Sequence, residues 1–349
     1  MKSDSAPVLV LMGPTASGKT ALALAAARRF DGEIISADSM QVYRGLDIGT
    51  AKPSAAERRE IPHHLIDILD IDESLEVFTF VRLAEEKIAE IRARGRLPII
   101  AGGTGFYLHS LLYGLDPLPA DPVLRAELDR RYDHDEGEKL LVAYLREHDP
   151  EDLERWSHHR RKLIRACEVF QLTGKSITTL QTLLRPQLRF PVAAFRLDWD
   201  RAELRNRIAQ RTREMLRDGW IDEARRMIAA GVLESPTARQ VLGYRYIAEY
   251  LDGKYTCDEL SERIAVSTWQ LARRQLTWFR HQHPEAELIA MPQDVEPILT
   301  RIAVRLADEG SVSSSGLVPT CIRGLPDLGY QEGSGNPLLE YRKNAGIRQ

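Results

Sequence analysis

Cysteine is scarce. Cys167, Cys257 and Cys321 are the only three in 349 residues, far apart and without a C-x-x-C pair, so neither a disulfide framework nor a zinc site is suggested. Long hydrophobic runs are missing too. No stretch approaches the ~20 apolar residues of a bilayer span, and no secretory h-region precedes Val8, so a cytoplasmic protein with no membrane partner is expected. No internal repeat is visible. Hydrophobic content is an ordinary 43%, enough for a full core, and the length suits two domains or one large domain with an insertion.

Neither charge sign dominates, the net being −3, but the charge is unevenly spread. Between Arg155 and Arg280 there are 24 Lys and Arg against 14 Asp and Glu, a surplus of 10 that leaves −13 for the rest of the chain. Such a basic half suits a polyanionic partner on one face; solvated helix surfaces are the competing reading.

The apolar run Val8–Met12 leads into Gly13-Pro14-Thr15-Ala16-Ser17-Gly18-Lys19-Thr20, a strand entering G-x-x-x-x-G-K-T. In this P-loop the glycines let successive N–H groups face phosphate oxygens. Lys19 adds a cation, Thr20 offers a hydroxyl to Mg²⁺, and the helix opening near Thr20 aims its positive end at the anion. Further strands are expected at Glu33–Ser36 and Leu97–Ala101, with helices around 19–29 and 78–94. That βαβ rhythm predicts an α/β fold with a parallel sheet and chemistry gathered at the carboxyl ends of its strands.

The texture changes after Pro122, and residues 123–183 read as an all-helical insertion. A strand returns at Phe190–Leu197, Asp200 caps a helix running to about 217, helices dominate to His281, and a last short strand falls at Leu288–Met291. The expected organisation is therefore a core in two parts, 1–115 and 190–291, an insertion at 116–189, and an extension at 292–349. Residues 309–336, rich in Gly, Ser and Pro, are expected to be loose or disordered.

Asp38 follows the second strand, where a carboxylate can take a proton from an incoming nucleophile; it can equally cap a helix starting at Ser39 or Met40. His63 and His64 read as loop or surface histidines, since adjacent side chains diverge and no carboxylate is suitably spaced. The Gly102-Gly103-Thr104-Gly105 turn is a third glycine-bearing loop at the same sheet edge. Arg207 and Arg211 share a helix face, either solvated or clamping a diphosphate. Gln240–Arg245 and the stretch Thr268–Arg280 mix Arg, Gln and aromatics in a way that suits single-stranded RNA, although Trp278 and Phe279 taken alone favour the core.

Taken together, GPTASGKT at 13–20, SADSMQVYRGLDIGTAKP at 36–53, GGTGFY at 102–107, RKLIRACEV at 161–169, GKS at 174–176, GYR at 243–245 and QLARRQLTWFR at 270–280 resemble the tRNA dimethylallyltransferase family over residues 7–291. The resemblance implies a P-loop core with a helical insertion gripping the tRNA anticodon stem-loop. It implies transfer of a dimethylallyl group from dimethylallyl diphosphate to N6 of the adenine just 3′ of the anticodon, with Mg²⁺. The P-loop would then hold the isoprenoid diphosphate rather than a nucleoside triphosphate. Asp38 would be the general base, with Thr15 and Arg211 beside it in catalysis. Asp38, Ser39, Met40, Gln41, Thr104, Arg125, Arg161, Lys162, Leu163, Ile164, Arg165, Gln240, Gly243, Tyr244, Arg245, Arg273 and Arg274 would contact the tRNA. A monomer is expected. A P-loop nucleoside or small-molecule kinase is the alternative.

Overall fold

The computed structural model describes residues 6–114, 118–183 and 187–314. Its frame is a six-stranded sheet of β1 (Val8–Met12), β2 (Gly32–Ser36), β3 (His63–His64), β4 (Leu97–Gly102), β5 (Val192–Trp199) and β6 (Glu287–Met291), in the order β3-β2-β4-β1-β5-β6. Every pairing is parallel. β1 sits inside, with Leu9 opposite Ile99 on one side and Ala193 on the other. A strand covered on both faces reads as one apolar run, which is why VLVLM shows no alternation.

Side chains nevertheless alternate between two cores. Val8, Val10, Met12, Ile35 and Ile100 pack on one face with Phe80 and Val81 of α3 (Val77–Ala93) and Leu108 and Leu111 of α4 (Gly105–Tyr113). Leu9, Leu11, Ile34, Ile99 and Phe195 face the other way, against Leu22, Ala23 and Ala26 of α1 (Lys19–Phe30). The short α2 (Ala55–Glu60) opens with a capping box made by Ser54 and Glu57.

Between α4 and β5 the described residues form five helices: α5 (Pro122–Tyr132), α6 (Asp135–His148), α7 (Pro150–Trp156), α8 (Arg160–Thr173) and α9 (Ile177–Leu183). They bury a core of their own around Leu128, Leu141, Leu145, Leu163, Ile164 and Cys167. After β5 come α10 (Arg201–Met215), a π-turn over Leu216–Trp220 that breaks at Gly219 (φ 101°), and then α11 (Ile221–Ala229), α12 (Tyr244–Leu251), the 26-residue α13 (Cys257–Gln282) and α14 (Val295–Ser314).

Three expectations need correction. The histidines read as loop or surface residues form the edge strand β3, and His64 Nε2 lies 2.7 Å from Glu33 Oε2. Burial would raise the Glu33 carboxyl, but hydrogen bonds from Arg94 and His64 outweigh that and bring it down to about 2. Residues 309–314, expected to be loose, are the last of α14, which runs to Ser314; the rest of that expectation, from 315, lies outside the described residues. Finally, Ile298, Leu299 and Ile302 of α14 are buried beside Leu9 and Phe195, so the core does not end at 291. The signal was an ordinary amphipathic helix hidden behind a Gly/Ser-rich tail.

Candidate active site

Three loops leave the carboxyl ends of β1, β2 and β4 and meet at one cleft of about 750 Å³. The P-loop curls through Ala16 (φ 63°) and Gly18 (φ 92°) before α1 begins at Lys19. The loop after β4 lies against the one after β2: a Cβ on Gly102 would meet Ala37 O at 2.2 Å, so only glycine fits. Thr104 N–H donates to Ala37 O at 3.2 Å, and Thr104 Oγ1 accepts from the Ser39 N–H at 3.0 Å.

Two helices from the second half of the chain close the cleft. From α13, Gln275 joins two loops: its Oε1 accepts from the Thr15 N–H at 2.8 Å and its Nε2 donates to Gly103 O at 2.8 Å. From α10, Arg211 donates to Thr15 Oγ1 at 2.7 Å, and Arg207 Nε donates to Ala16 O at 3.1 Å. The Arg207 guanidinium also lies 4.3 Å from the centroid of the Trp199 ring, whose Nε1–H donates to Ser17 O at 3.0 Å. Thr15 and Lys19 of the P-loop, Asp38 and the distant Arg211 therefore share one site.

The electrostatics of the site are unusual. Lys19 Nζ donates to Pro14 O at 2.6 Å, and burial lowers its pKa to about 7; Asp38 opposes that shift and Arg211 adds to it. Burial likewise lowers the Arg211 pKa, against the pull of Asp38. Two half-buried cations facing a single carboxylate leave positive charge over, which suits a polyphosphate ligand.

Asp38 is half-buried and does cap, but a turn rather than a helix. Its Oδ1 accepts from the N–H groups of Met40 (2.9 Å) and Gln41 (3.3 Å). Gln41 is held in turn by Ser36 Oγ, which donates to its Oε1 at 2.9 Å.

The expected RNA contacts divide sharply. Arg161, Lys162, Gln240, Arg245, Arg273 and Arg274 are exposed, and Gln240 and Arg274 also line the cleft. Leu163 and Ile164 are buried in the insertion's core, and Tyr244 is fully buried with its hydroxyl donating to Glu223 at 2.6 Å; these three side chains build the platform and cannot touch RNA from it. Gly243 is buried next to Tyr244, against the Trp220 ring. Arg125 and Arg165 both bond Glu168 Oε2, by Arg125 Nε at 2.9 Å and Arg165 Nη1 at 2.7 Å. Burial would raise the Glu168 carboxyl, but these bonds hold it below the usual range, so both guanidiniums brace the insertion. Phe279 is in the core, as its apolar character favoured, with Trp278 packed beside it.

Sequence reasoning missed Gln275 and Trp199 as P-loop ties. Gln275 was visible only as a polar residue in a helix otherwise read for RNA. Trp199 ends a strand whose indole N–H has no local signature.

Two family models match the chain: one described as IPP transferase over residues 41–282, and one described as isopentenyl transferase over residues 6–74. The chain is 43% identical over 303 residues to the tRNA dimethylallyltransferase 1 of Trichlorobacter lovleyi, covering 86% of this chain and 99% of that one. It is 46% identical over 282 residues to the tRNA dimethylallyltransferase of Methylococcus capsulatus, covering 79% and 90%. The crystal structure of the full-length tRNA isopentenylpyrophosphate transferase from Bacillus halodurans superposes with a TM-score of 0.66 at 34% identity, over 89% of this chain and all of that one. A eukaryotic dimethylallyltransferase captured acting on tRNA gives 0.71 at 26% identity, over 82% and 74%. These names leave the kinase alternative without support.

Proposed function

The chain belongs to the IPP transferase family, and from that premise we propose how its own residues carry out prenyl transfer to tRNA. The reaction moves a dimethylallyl group from dimethylallyl diphosphate to N6 of the adenine 3′ of the anticodon. The allylic C–O bond breaks, a C–N bond forms at N6, the diphosphate departs with the bonding electrons, and one N6 proton must be taken up.

The observation that carries the assignment of roles is the meeting of Lys19, the Arg211–Thr15 pair and the Asp38 carboxylate in one cleft. Lys19, Arg211 and the N–H groups at the start of α1 face the diphosphate, where negative charge grows as the C–O bond breaks. Thr15 orients the Arg211 guanidinium. Asp38 uses Oδ1 to keep its turn, and its carboxylate accepts the N6 proton. The adenine leaves its stack to reach the cleft, at a cost of a few kcal/mol, least for an unpaired loop base.

Among the described residues no group of three His, Cys, Asp or Glu side chains could hold a metal by itself. Thr20, exposed at the cleft lip, offers one hydroxyl. That donor set fits a Mg²⁺ carried largely by the diphosphate's own oxygens, as hard cations with few protein ligands are. When bound, the ion would neutralise charge on the leaving group. Exposed Arg161, Lys162, Arg245, Arg273 and Arg274 would take the RNA backbone, and Asp38–Gln41 with Thr104 the loop bases.

Labelled dimethylallyl diphosphate tests the reading. Label should enter tRNA, and ATP should pass no phosphate to a small molecule; the opposite pair of results overturns it.

A further inference from the structure

The loop over 47–51, which walls the cleft through Gly49, Thr50 and Ala51, gives three successive backbone N–H groups to one carboxylate some 175 residues further along the chain, beside a Lys52–Asp47 ion pair at 2.8 Å. Glu223 is 3% exposed in the first turn of α11, where the helix N-terminus favours an anion. Its Oε2 accepts from the N–H groups of Asp47 (3.0 Å) and Ile48 (2.7 Å). Its Oε1 accepts from the Gly49 N–H (2.9 Å) and the Tyr244 hydroxyl (2.6 Å). Among the described residues no Lys or Arg pairs with it, so backbone N–H groups carry the compensation.

The loop passes this fixation on. Thr50 O and Ala51 O accept from Gln41 Nε2 at 3.2 and 3.4 Å. Gln41, also gripped by Ser36, gives its N–H to Asp38 Oδ1 at 3.3 Å. Gly49 meanwhile lies so close to the Trp220 indole that a Cβ there would come within 2.4 Å of Nε1, and Trp220 lines the cleft. One carboxylate thus stands at the head of a hydrogen-bonded chain that ends on the acid oxygen.

We propose that Glu223 is a positioning residue for prenyl transfer: it fixes residues 47–49, and through Gln41 it sets the turn that aims Asp38. The inference rests on the reading of Asp38 as the base. A carboxylate is needed because both oxygens must accept from two donors each. In Glu223→Gln, an NH₂ in place of Oε2 loses the bonds from Asp47 and Ile48, and one in place of Oε1 loses the bond from Gly49 while the Tyr244 hydroxyl can turn to accept.

The test is steady-state prenylation of tRNA with each variant's competent fraction counted by titration with dimethylallyl diphosphate. For Glu223→Gln, kcat per competent site should fall by roughly 10²-fold, the scale of a 1 Å misplacement. KM for dimethylallyl diphosphate should change by less than about threefold, because the P-loop is tied by Gln275, Arg207 and Trp199 instead. At saturating tRNA, where any base contact of Gln41 drops out of the rate, adding Gln41→Ala should bring no further loss of kcat, which a general loosening of the fold would not produce. If Glu223→Gln does not fold, Tyr244→Phe removes one donor, keeps the ring, and should show a smaller kcat loss that also vanishes in the Gln41→Ala background. Wild-type kcat per competent site in the variant tested, or losses that multiply with Gln41→Ala, would overturn the inference. A wild-type enzyme that puts no label into tRNA would instead overturn the prenyl-transfer reading on which it depends.

Discussion

Binding of dimethylallyl diphosphate should draw a proton out of solution, and the site of uptake is Lys19. With its pKa lowered to about 7 by burial, the free enzyme carries this amine mostly neutral at pH 8. A diphosphate placed against it favours the ammonium and returns the pKa toward the ordinary ~10.4. The bound state then holds the proton and the free state does not, so uptake should be largest at pH 8 and fade as the pH falls to 6. The ligand's own last ionisation, near ~6, is complete by pH 8 and contributes little there. The sign follows from the raised pKa in the complex: affinity is full below pH 7 and weakens by up to about tenfold per unit above it. Titration calorimetry in two buffers of different ionisation heat reads the uptake directly. Lys19→Arg, charged throughout, should bind without it. Zero uptake at pH 8 in the wild type would mean that Lys19 is already charged in the free enzyme, and the account of the P-loop electrostatics would fail.

Arg211→Ala should lower kcat/KM for dimethylallyl diphosphate with little change in tRNA affinity, because its guanidinium is half-buried and bonded to Thr15 of the P-loop; unchanged kinetics would return it to the class of solvated helix charges. Affinity for tRNA should fall steeply with salt: five exposed cations, Arg161, Lys162, Arg245, Arg273 and Arg274, each meeting a phosphate, give a log–log slope of roughly −3.5 to −4.5. An anticodon stem-loop should serve nearly as well as whole tRNA, and a flat salt response or an inert stem-loop contradicts this placement. Ile302→Ala should cost ~2–5 kcal/mol in denaturant unfolding, since the side chain is 0% exposed against the sheet. Removal of 315–349 should leave the midpoint unchanged, on the grounds of its Gly/Ser/Pro-rich composition.

The parallel sheet, the P-loop and the helical insertion were legible because each has a local signature: an apolar run into G-x-x-x-x-G-K-T, or charge at helical spacing. Strand ends moved by only one or two residues, as at β5, where Phe190–Leu197 became Val192–Trp199. The edge strand β3 was not legible, since two histidines carry no strand pattern and the tie of His64 to buried Glu33 is non-local. Nor was the division of the RNA contacts. Arg161 and Leu163 stand two apart in one motif, and only the packing of α8 decides that the first meets solvent and the second the core. Glu223, in Ile-Asp-Glu-Ala-Arg-Arg, reads as a solvated helix charge until a distant loop is seen to close on it.

Asp38→Asn measures the central assignment most directly. Asparagine keeps an oxygen able to accept from Met40 and Gln41, so the turn survives, but it cannot take the N6 proton. Single-turnover transfer of labelled dimethylallyl groups to a saturating anticodon stem-loop should slow by ~10²–10⁴-fold, with Kd for the RNA unchanged. A variant that turns over at the wild-type rate, or one whose loss is wholly a weakened Kd, would show that Asp38 holds a turn or an RNA loop and is not the base.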